Sequence, residues 1–219
     1  MEIKLEANVL SANDRIAQEN RRRLAEHGIF CLNLISSPGA GKTTLLERTC
    51  ELLRGRLRVG VIEGDITTSL DADRIARHGV PAHQINTMGA CHLDARMVQK
   101  ALEKFALAEL DLLIIENVGN LVCPADFDLG EDAKVVVLSV PEGDDKPAKY
   151  PAIFQRSAVL LLNKIDLLPQ SNFDLARVRK DLEGINPGLR LMEVSALHGT
   201  GLDQWIDWLQ GRVQAKRKG

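Results

Sequence analysis

Apolar residues fall along this chain in two kinds of run. Short continuous stretches at 30–35, 58–62, 110–115, 134–140, 158–162 and 191–194 read as strands buried on both faces, with a further short strand at 83–86. Between them, residues 45–53, 71–78, 93–108 and 202–209 carry helical periodicity. Residues 12–27 predict an amphipathic helix with Ile16 and Leu24 on one face and Arg21, Arg22 and Arg23 mostly solvated, closed by Gly28. Residues 141–151 form a charged loop. Buried strands alternating with helices predict an α/β fold, a mostly parallel sheet covered by helices on both faces. No repeat, low-complexity tract or long linker divides it.

The first strand runs into Ser36-Ser-Pro-Gly-Ala-Gly-Lys-Thr, and a helix begins at Thr44. Strand, glycine loop and helix N-terminus in that order turn several backbone N–H groups toward one point, an anion site for nucleotide phosphates. Gly39, Ala40 and Gly41 make the turn. Lys42 is placed to reach the β- and γ-phosphates and the Thr43 hydroxyl to ligate Mg²⁺, with Thr44 beside it. The strict pattern has glycine where Ser36 stands, but that position only opens the loop.

Asn163-Lys-Ile-Asp follows the strand at 158–162, at the strand end where open α/β sheets bind ligands. A carboxylate at Asp166 accepts from guanine's ring N–H and amino group together, whereas adenine offers neither donor there. The expected nucleotide is therefore GTP, hydrolysed to GDP. Lys164 can lay its methylene stem over the base, and Asn163 can tie this turn to the phosphate loop. Ser195-Ala196-Leu197 can offer a backbone N–H to the guanine carbonyl. The domain reading becomes a nucleotide domain over residues 30–219, with residues 1–29 a helical extension packed on it.

The 219 residues suffice for one such domain, and 45% hydrophobic with 26% charged content is ordinary for a globular chain. A formal net charge of −2 argues against nucleic acid as a main partner. The final Lys216-Arg217-Lys218 reads as a solvated, frayed end. No signal peptide begins at Met1 and no apolar run approaches membrane-spanning length. Four cysteines without a secretory context point to the reducing cytoplasm.

Glu116 ends the strand expected beside the phosphate-loop strand, with Gly119 just beyond it. That suits an acid acting on Mg²⁺ and a backbone N–H free to meet the γ-phosphate. Asp65 ends the neighbouring strand and is a candidate to orient water or hold a metal-bound water. Asp71 is a weaker candidate, equally readable as the acidic first turn of a helix. Asn120 stands where a water-orienting glutamine would, which predicts slow intrinsic hydrolysis.

Cys91-His92 and Cys123-Pro124 sit in polar or glycine-containing segments outside the strands, whereas Cys31 and Cys50 read as small core hydrophobes. Thiolate and imidazole favour nickel, zinc or copper over magnesium. Three ligands fall one short of a closed tetrahedral shell, leaving water, a backbone nitrogen or a second subunit to complete it. Because Cys123 follows Gly119 closely, metal and nucleotide affinities should be coupled, and reciprocally.

The loop 36–43, Glu63-Gly-Asp, Cys91-His-Leu-Asp, Glu116-Asn-Val-Gly-Asn-Leu-Val-Cys-Pro-Ala-Asp, Glu142-Gly-Asp-Asp-Lys and Asn163-Lys-Ile-Asp together resemble the HypB family. Its members are GTPases that help insert nickel into nickel–iron hydrogenase during maturation. The likeness covers residues 12–209. It implies the SIMIBI class of P-loop GTPases and a homodimer promoted by GTP and metal. It also implies a nickel or zinc site at the dimer interface made by Cys91, His92 and Cys123. Lys42, Thr43, Asp65, Asp71 and Glu116 are implied around phosphate and Mg²⁺, and Asp166 on guanine. A loop lysine, Lys149 with Lys146 behind it, is implied to reach the other subunit's nucleotide. Implied partners are a nickel-delivering accessory protein and the hydrogenase large subunit. The cysteine-rich or histidine-rich N-terminal stretches of some members are missing, and the chain has only five histidines, so reliance on separate nickel delivery is expected. Two alternatives are a related maturation GTPase of the urease or cobalamin type and a P-loop small-molecule kinase. The kinase would need an arginine-rich lid and leaves the Asn163–Asp166 motif unexplained.

Overall fold

The computed structural model describes residues 2–65 and 74–218, with side chains from residue 10 onward except that of Asp65. The described residues form seven strands: β1 (Phe30–Ser36), β2 (Val59–Asp65), β3 (Ala82–Asn86), β4 (Leu112–Glu116), β5 (Ala133–Ser139), β6 (Val159–Asn163) and β7 (Arg190–Glu193). They make one sheet in the order β3-β2-β4-β1-β5-β6-β7, and every pairing is parallel. Parallel pairing brings all the carboxyl ends to one edge. There β1 lies between β4 and β5, the switch point at which such sheets form a crevice.

Side chains alternate across the sheet. Phe30, Leu32 and Leu34 of β1 pack with Leu45, Leu46, Cys50 and Leu53 of α2 (Lys42–Leu53) and with Trp205, Ile206, Leu209 and Val213 of the helix Leu202–Lys218. Cys31 and Ile35 face the opposite layer, which includes Leu24, Val98, Phe154 and Val178. Trp205 Nε1 donates to Thr49 Oγ1 at 2.9 Å, so the indole fixes α2 laterally without leaving a buried polar atom unpaired.

Several elements differ from the pattern reading. The first helix, α1, spans Glu2–Glu26. Its inward positions are Asn13, Ala17, Asn20 and Leu24, while Ile16 is only half-buried. The asparagines face inward because they bond to backbone: Asn20 Nδ2 donates to Ala95 O at 2.8 Å and Leu129 O at 3.0 Å. Asn13 Oδ1 accepts from Ala95 N at 2.9 Å. Arg21 is paired with Asp128 at 2.7 Å rather than left to solvent.

The helix expected at 93–108 is confined to Ala95–Leu102. Asp94 caps its start by accepting from Met97 N at 2.7 Å, and tight three-residue bonds such as Lys104 N to Ala101 O at 2.9 Å close its end. The loop at 141–151 contains the one-turn helix Lys146–Lys149 and runs directly into a second, Pro151–Gln155. The C-terminal helix runs on to Lys218 and is anchored rather than frayed. Lys216 bonds Asp132 at 2.6 Å, and Arg217 bonds Asp111, which Arg58 also grips at 2.5 Å.

Candidate functional site

The loop between β1 and α2 encloses an open hollow of about 230 Å³ lined by residues 36–44 and Arg74. Gly41 adopts φ 88, and a Cβ there would lie 2.6 Å from Asn163 Nδ2. Only glycine admits both the turn and that close approach.

Glu116 lies beside this loop because β4 pairs with β1. The carboxylate is 4% exposed. Its Oε1 accepts from Thr43 Oγ1 at 2.9 Å and sits 3.3 Å from Lys42 Nζ. Its Oε2 is buried with no hydrogen-bond partner among the described residues. A hydroxyl and a buried carboxylate oxygen with spare capacity form a hard-oxygen donor pair that fits a magnesium ion. Asp65 ends β2, next to β4, but its side chain lies outside the described residues, and so does the whole of Asp71.

The second motif meets the same loop. Asn163 Nδ2 donates to Ala40 O at 2.9 Å, and Asn163 Oδ1 accepts from Ala196 N at 3.0 Å. One amide thus joins the phosphate loop, the end of β6 and the Ser195–Leu197 segment. Lys164 takes φ 61 and its ammonium reaches Gly39 O at 2.7 Å, which stretches its stem along the crevice. Ser195 Oγ donates to Asp166 Oδ1 at 2.6 Å, and this bond holds the Asp166 carboxyl below its ordinary range. Asp166 is therefore an oriented, ionised acceptor. Leu197 is 69% exposed at the rim.

Cys91, His92 and Cys123 come together, their ligand atoms within 4.8 Å of one another. The two sulfurs are 2.9 Å apart, and Cys91 Sγ lies 3.5 Å from His92 Nδ1. The His92 ring packs on Phe127 with centroids 3.9 Å apart. Burial lowers its pKa, partly opposed by Asp94, favouring the neutral imidazole that ligates metals. The bond to Cys123 raises the Cys91 thiol. Cys31 and Cys50 are buried; burial pushes the Cys31 thiol far up and the Cys50 thiol to about 12, so both are inert.

Two asparagines, neither of them expected from the sequence to bridge segments, build the link between clusters. Asn117, 1% exposed, accepts through Oδ1 from Leu93 N at 3.2 Å and donates to Asn33 Oδ1 at 3.1 Å. Asn120 donates to Cys91 O at 3.3 Å and accepts from Val122 N at 2.9 Å. The position compared with a water-orienting glutamine is thus engaged in joining the two cysteine segments. The only signal for their bridging was a polar run, Glu-Asn-Val-Gly-Asn, at the end of a buried strand. Gly119, between them, lies against the phosphate loop: a Cβ there would be 3.1 Å from Pro38 N.

In the loop at 141–151, Lys146 Nζ bonds Glu142 O at 2.5 Å and Asp145 at 2.8 Å. Lys149 bonds the Asp145 carboxylate at 2.5 Å and is 60% exposed.

Parallel sheet, glycine loop at the switch point and paired nucleotide motifs define a P-loop nucleotide-binding protein. Residues 31–193 match the CobW/HypB/UreG nucleotide-binding domain. The hydrogenase maturation factor HypB of Azotobacter vinelandii is 52% identical over 208 residues, 95% of this chain and 69% of that relative. The chain belongs to the HypB family of hydrogenase maturation factors. Among solved structures, HypB from Helicobacter pylori in complex with nickel superposes with a TM-score of 0.89 at 39% identity, covering 94% of this chain and 97% of that one. HypB from Archaeoglobus fulgidus gives 0.87 at 41%, covering 93% and 99%. Among the described residues no helix is long and apolar enough to cross a membrane.

Proposed function

We propose that this protein hydrolyses GTP slowly and uses the bound nucleotide to control capture and release of nickel, with zinc as the competing ion, during assembly of a nickel–iron hydrogenase. The observation that carries this reading is the path from Gly119, packed on Pro38 of the phosphate loop, to Cys123, a thiol of the metal cluster. A γ-phosphate that draws the Gly119 backbone N–H toward itself shifts a segment whose next turn holds a ligand. Asn117 and Asn120 pass that shift to Cys91 and His92.

Lys42 and the loop N–H groups bind the phosphates, and Asp166 selects guanine. Thr43 and Glu116, with Asp65 and Asp71, would hold a magnesium ion, which supplies charge neutralisation between the phosphates when bound. Without a glutamine beside Gly119, attacking water is poorly oriented and the nucleotide acts as a timer. Three protein ligands leave the metal shell open, so we infer a homodimer promoted by GTP and metal, with the cluster at its interface. Lys149 is the lysine that reaches across, because Lys146 is held by a carbonyl of its own loop. The partners we infer are a nickel-delivering accessory protein and the hydrogenase large subunit, in the reducing cytoplasm.

The test is a metal titration with GDP and then with a non-hydrolysable GTP analogue, while solution mass is recorded. Tighter nickel binding and a doubled mass with the analogue are expected. Equal affinity and equal mass in both states would remove the proposal.

A further inference from the structure

The same two thiols that hold cargo sit closer together than ligation alone requires. Cys91 and Cys123 approach to 2.9 Å, against about 2.05 Å for a disulfide bond, so closure needs less than about 1 Å of sulfur movement. Neither is in a strand: Cys91 lies in the loop before the helix Ala95–Leu102, and Cys123 opens a one-turn helix. Asn120 holds the two segments in register by bonding the Cys91 carbonyl and the Val122 N–H. Cys91 is exposed and Cys123 half-buried, whereas Cys31 and Cys50 are 0% and 2% exposed.

From this geometry we infer that Cys91 and Cys123 are also a modification site, a dithiol that low-molecular-weight disulfides such as oxidised glutathione convert to an intramolecular disulfide. The thiolate of one cysteine attacks a glutathione sulfur, forming a mixed disulfide and releasing one glutathione thiolate, which takes up a proton. The second cysteine, deprotonated, attacks the protein sulfur of that mixed disulfide and expels the second glutathione. Two protein thiols are oxidised and one external disulfide is reduced to two thiols. The product has lost two of its three candidate metal ligands. Resting on the metal reading above, oxidation and cargo binding exclude each other: a bound ion occupies both sulfurs, and the disulfide cannot accept an ion. The nucleotide loop keeps its bonds in either state, because none of them uses these sulfurs.

The experiment exposes the metal-free protein to oxidised glutathione and follows intact mass with peptide mapping. The expected product is monomeric, lighter by about 2 Da than the reduced protein. Its one cross-link joins the peptides of Cys91 and Cys123, and Cys31 and Cys50 remain alkylatable only after denaturation. GDP affinity should stay within about twofold, showing an intact fold, and reducing agent should restore the starting mass. Cys91→Ser and Cys123→Ser should each stop at a single glutathione adduct. A stable adduct on the unsubstituted protein, a cross-link between two chains, or reaction at Cys31 or Cys50 would overturn the inference. Nickel added beforehand should slow closure at least about tenfold. If nickel leaves closure unslowed while the mapped cross-link forms, the metal reading fails and the thiol chemistry stands.

Discussion

Thr43 and Glu116, 73 residues apart in sequence, share a 2.9 Å hydrogen bond on the buried side of the phosphate loop. The bond exists because β4 lies directly against β1, and it leaves the second Glu116 oxygen without a partner among the described residues. Glu116→Gln keeps the volume and removes the charge. GTP hydrolysis is expected to fall about 10- to 100-fold, while GDP affinity without magnesium stays within a few-fold. Single-turnover hydrolysis with a magnesium titration checks this; an unchanged magnesium requirement would remove Glu116 from that role.

Asn163 is buried and spends both ends of its amide on backbone, Ala40 O and Ala196 N. Asn163→Ala leaves two backbone groups unsatisfied and frees the Ser195–Leu197 segment from the phosphate loop. Affinity for GTP and GDP should drop together by about 10- to 100-fold. Fluorescent-nucleotide titration reads this directly, and retained affinity would show that the segments are aligned without the amide.

Asp166 is held by Ser195 as an ionised acceptor. In Asp166→Asn the amide can donate to a carbonyl where guanine offers its amino group, so preference should shift from GTP toward xanthosine triphosphate. Competition between the two nucleotides measures the shift. No change in base preference would contradict the assignment.

Cys91→Ala or Cys123→Ala should lower nickel and zinc affinity by at least about tenfold and leave GDP binding nearly intact. Asn120→Ala, which removes no ligand atom, should weaken metal binding less but reduce the difference between the GDP-bound and triphosphate-bound forms. If Asn120→Ala leaves that difference at its original size, the coupling does not run through this side chain.

At the opposite end of the sheet, burial on its own would raise the Asp111 carboxyl, but bonds from the Arg58 side chain and backbone N–H, with the charge of Arg217, hold it below the ordinary range. A lowered value in the folded state stabilises the protein above the ordinary carboxylate range, and that contribution fades as pH falls through the folded value. Asp111→Asn should therefore cost about 1–3 kcal/mol at pH 7. The gap to the unsubstituted protein should narrow as pH is taken from about 5 toward 3. Urea unfolding at several pH values tests it; a gap independent of pH would assign the effect to packing.

Much of this molecule was legible from local pattern. Continuous apolar runs marked the central strands to within a few residues, because strands buried on both faces have no polar alternation to confuse them, whereas the half-buried edge strand β3 carries no such run. The phosphate loop and the Asn163–Asp166 turn were visible for a related reason: their chemistry is built from adjacent residues and short spacings. Helix ends were less legible. The capping by Asp94 and the contact that holds Arg217 depend on groups the local sequence does not contain or does not rank.

What the sequence determined by itself was the list of chemical parts: a glycine loop with its lysine, a carboxylate suited to guanine, and three candidate soft ligands in two separate segments. The tertiary structure decided which parts touch. Strand order set β4 beside β1, so Glu116 meets Thr43, and the amides of buried Asn117 and half-buried Asn120 tied the Cys91 segment to the segment that leads to Cys123. Those contacts turn on parallel pairing and on satisfying buried amides, both of them long-range conditions. No window of neighbouring residues encodes such conditions, and for that reason the bridging contacts of Asn117 and Asn120 became visible only in the folded chain.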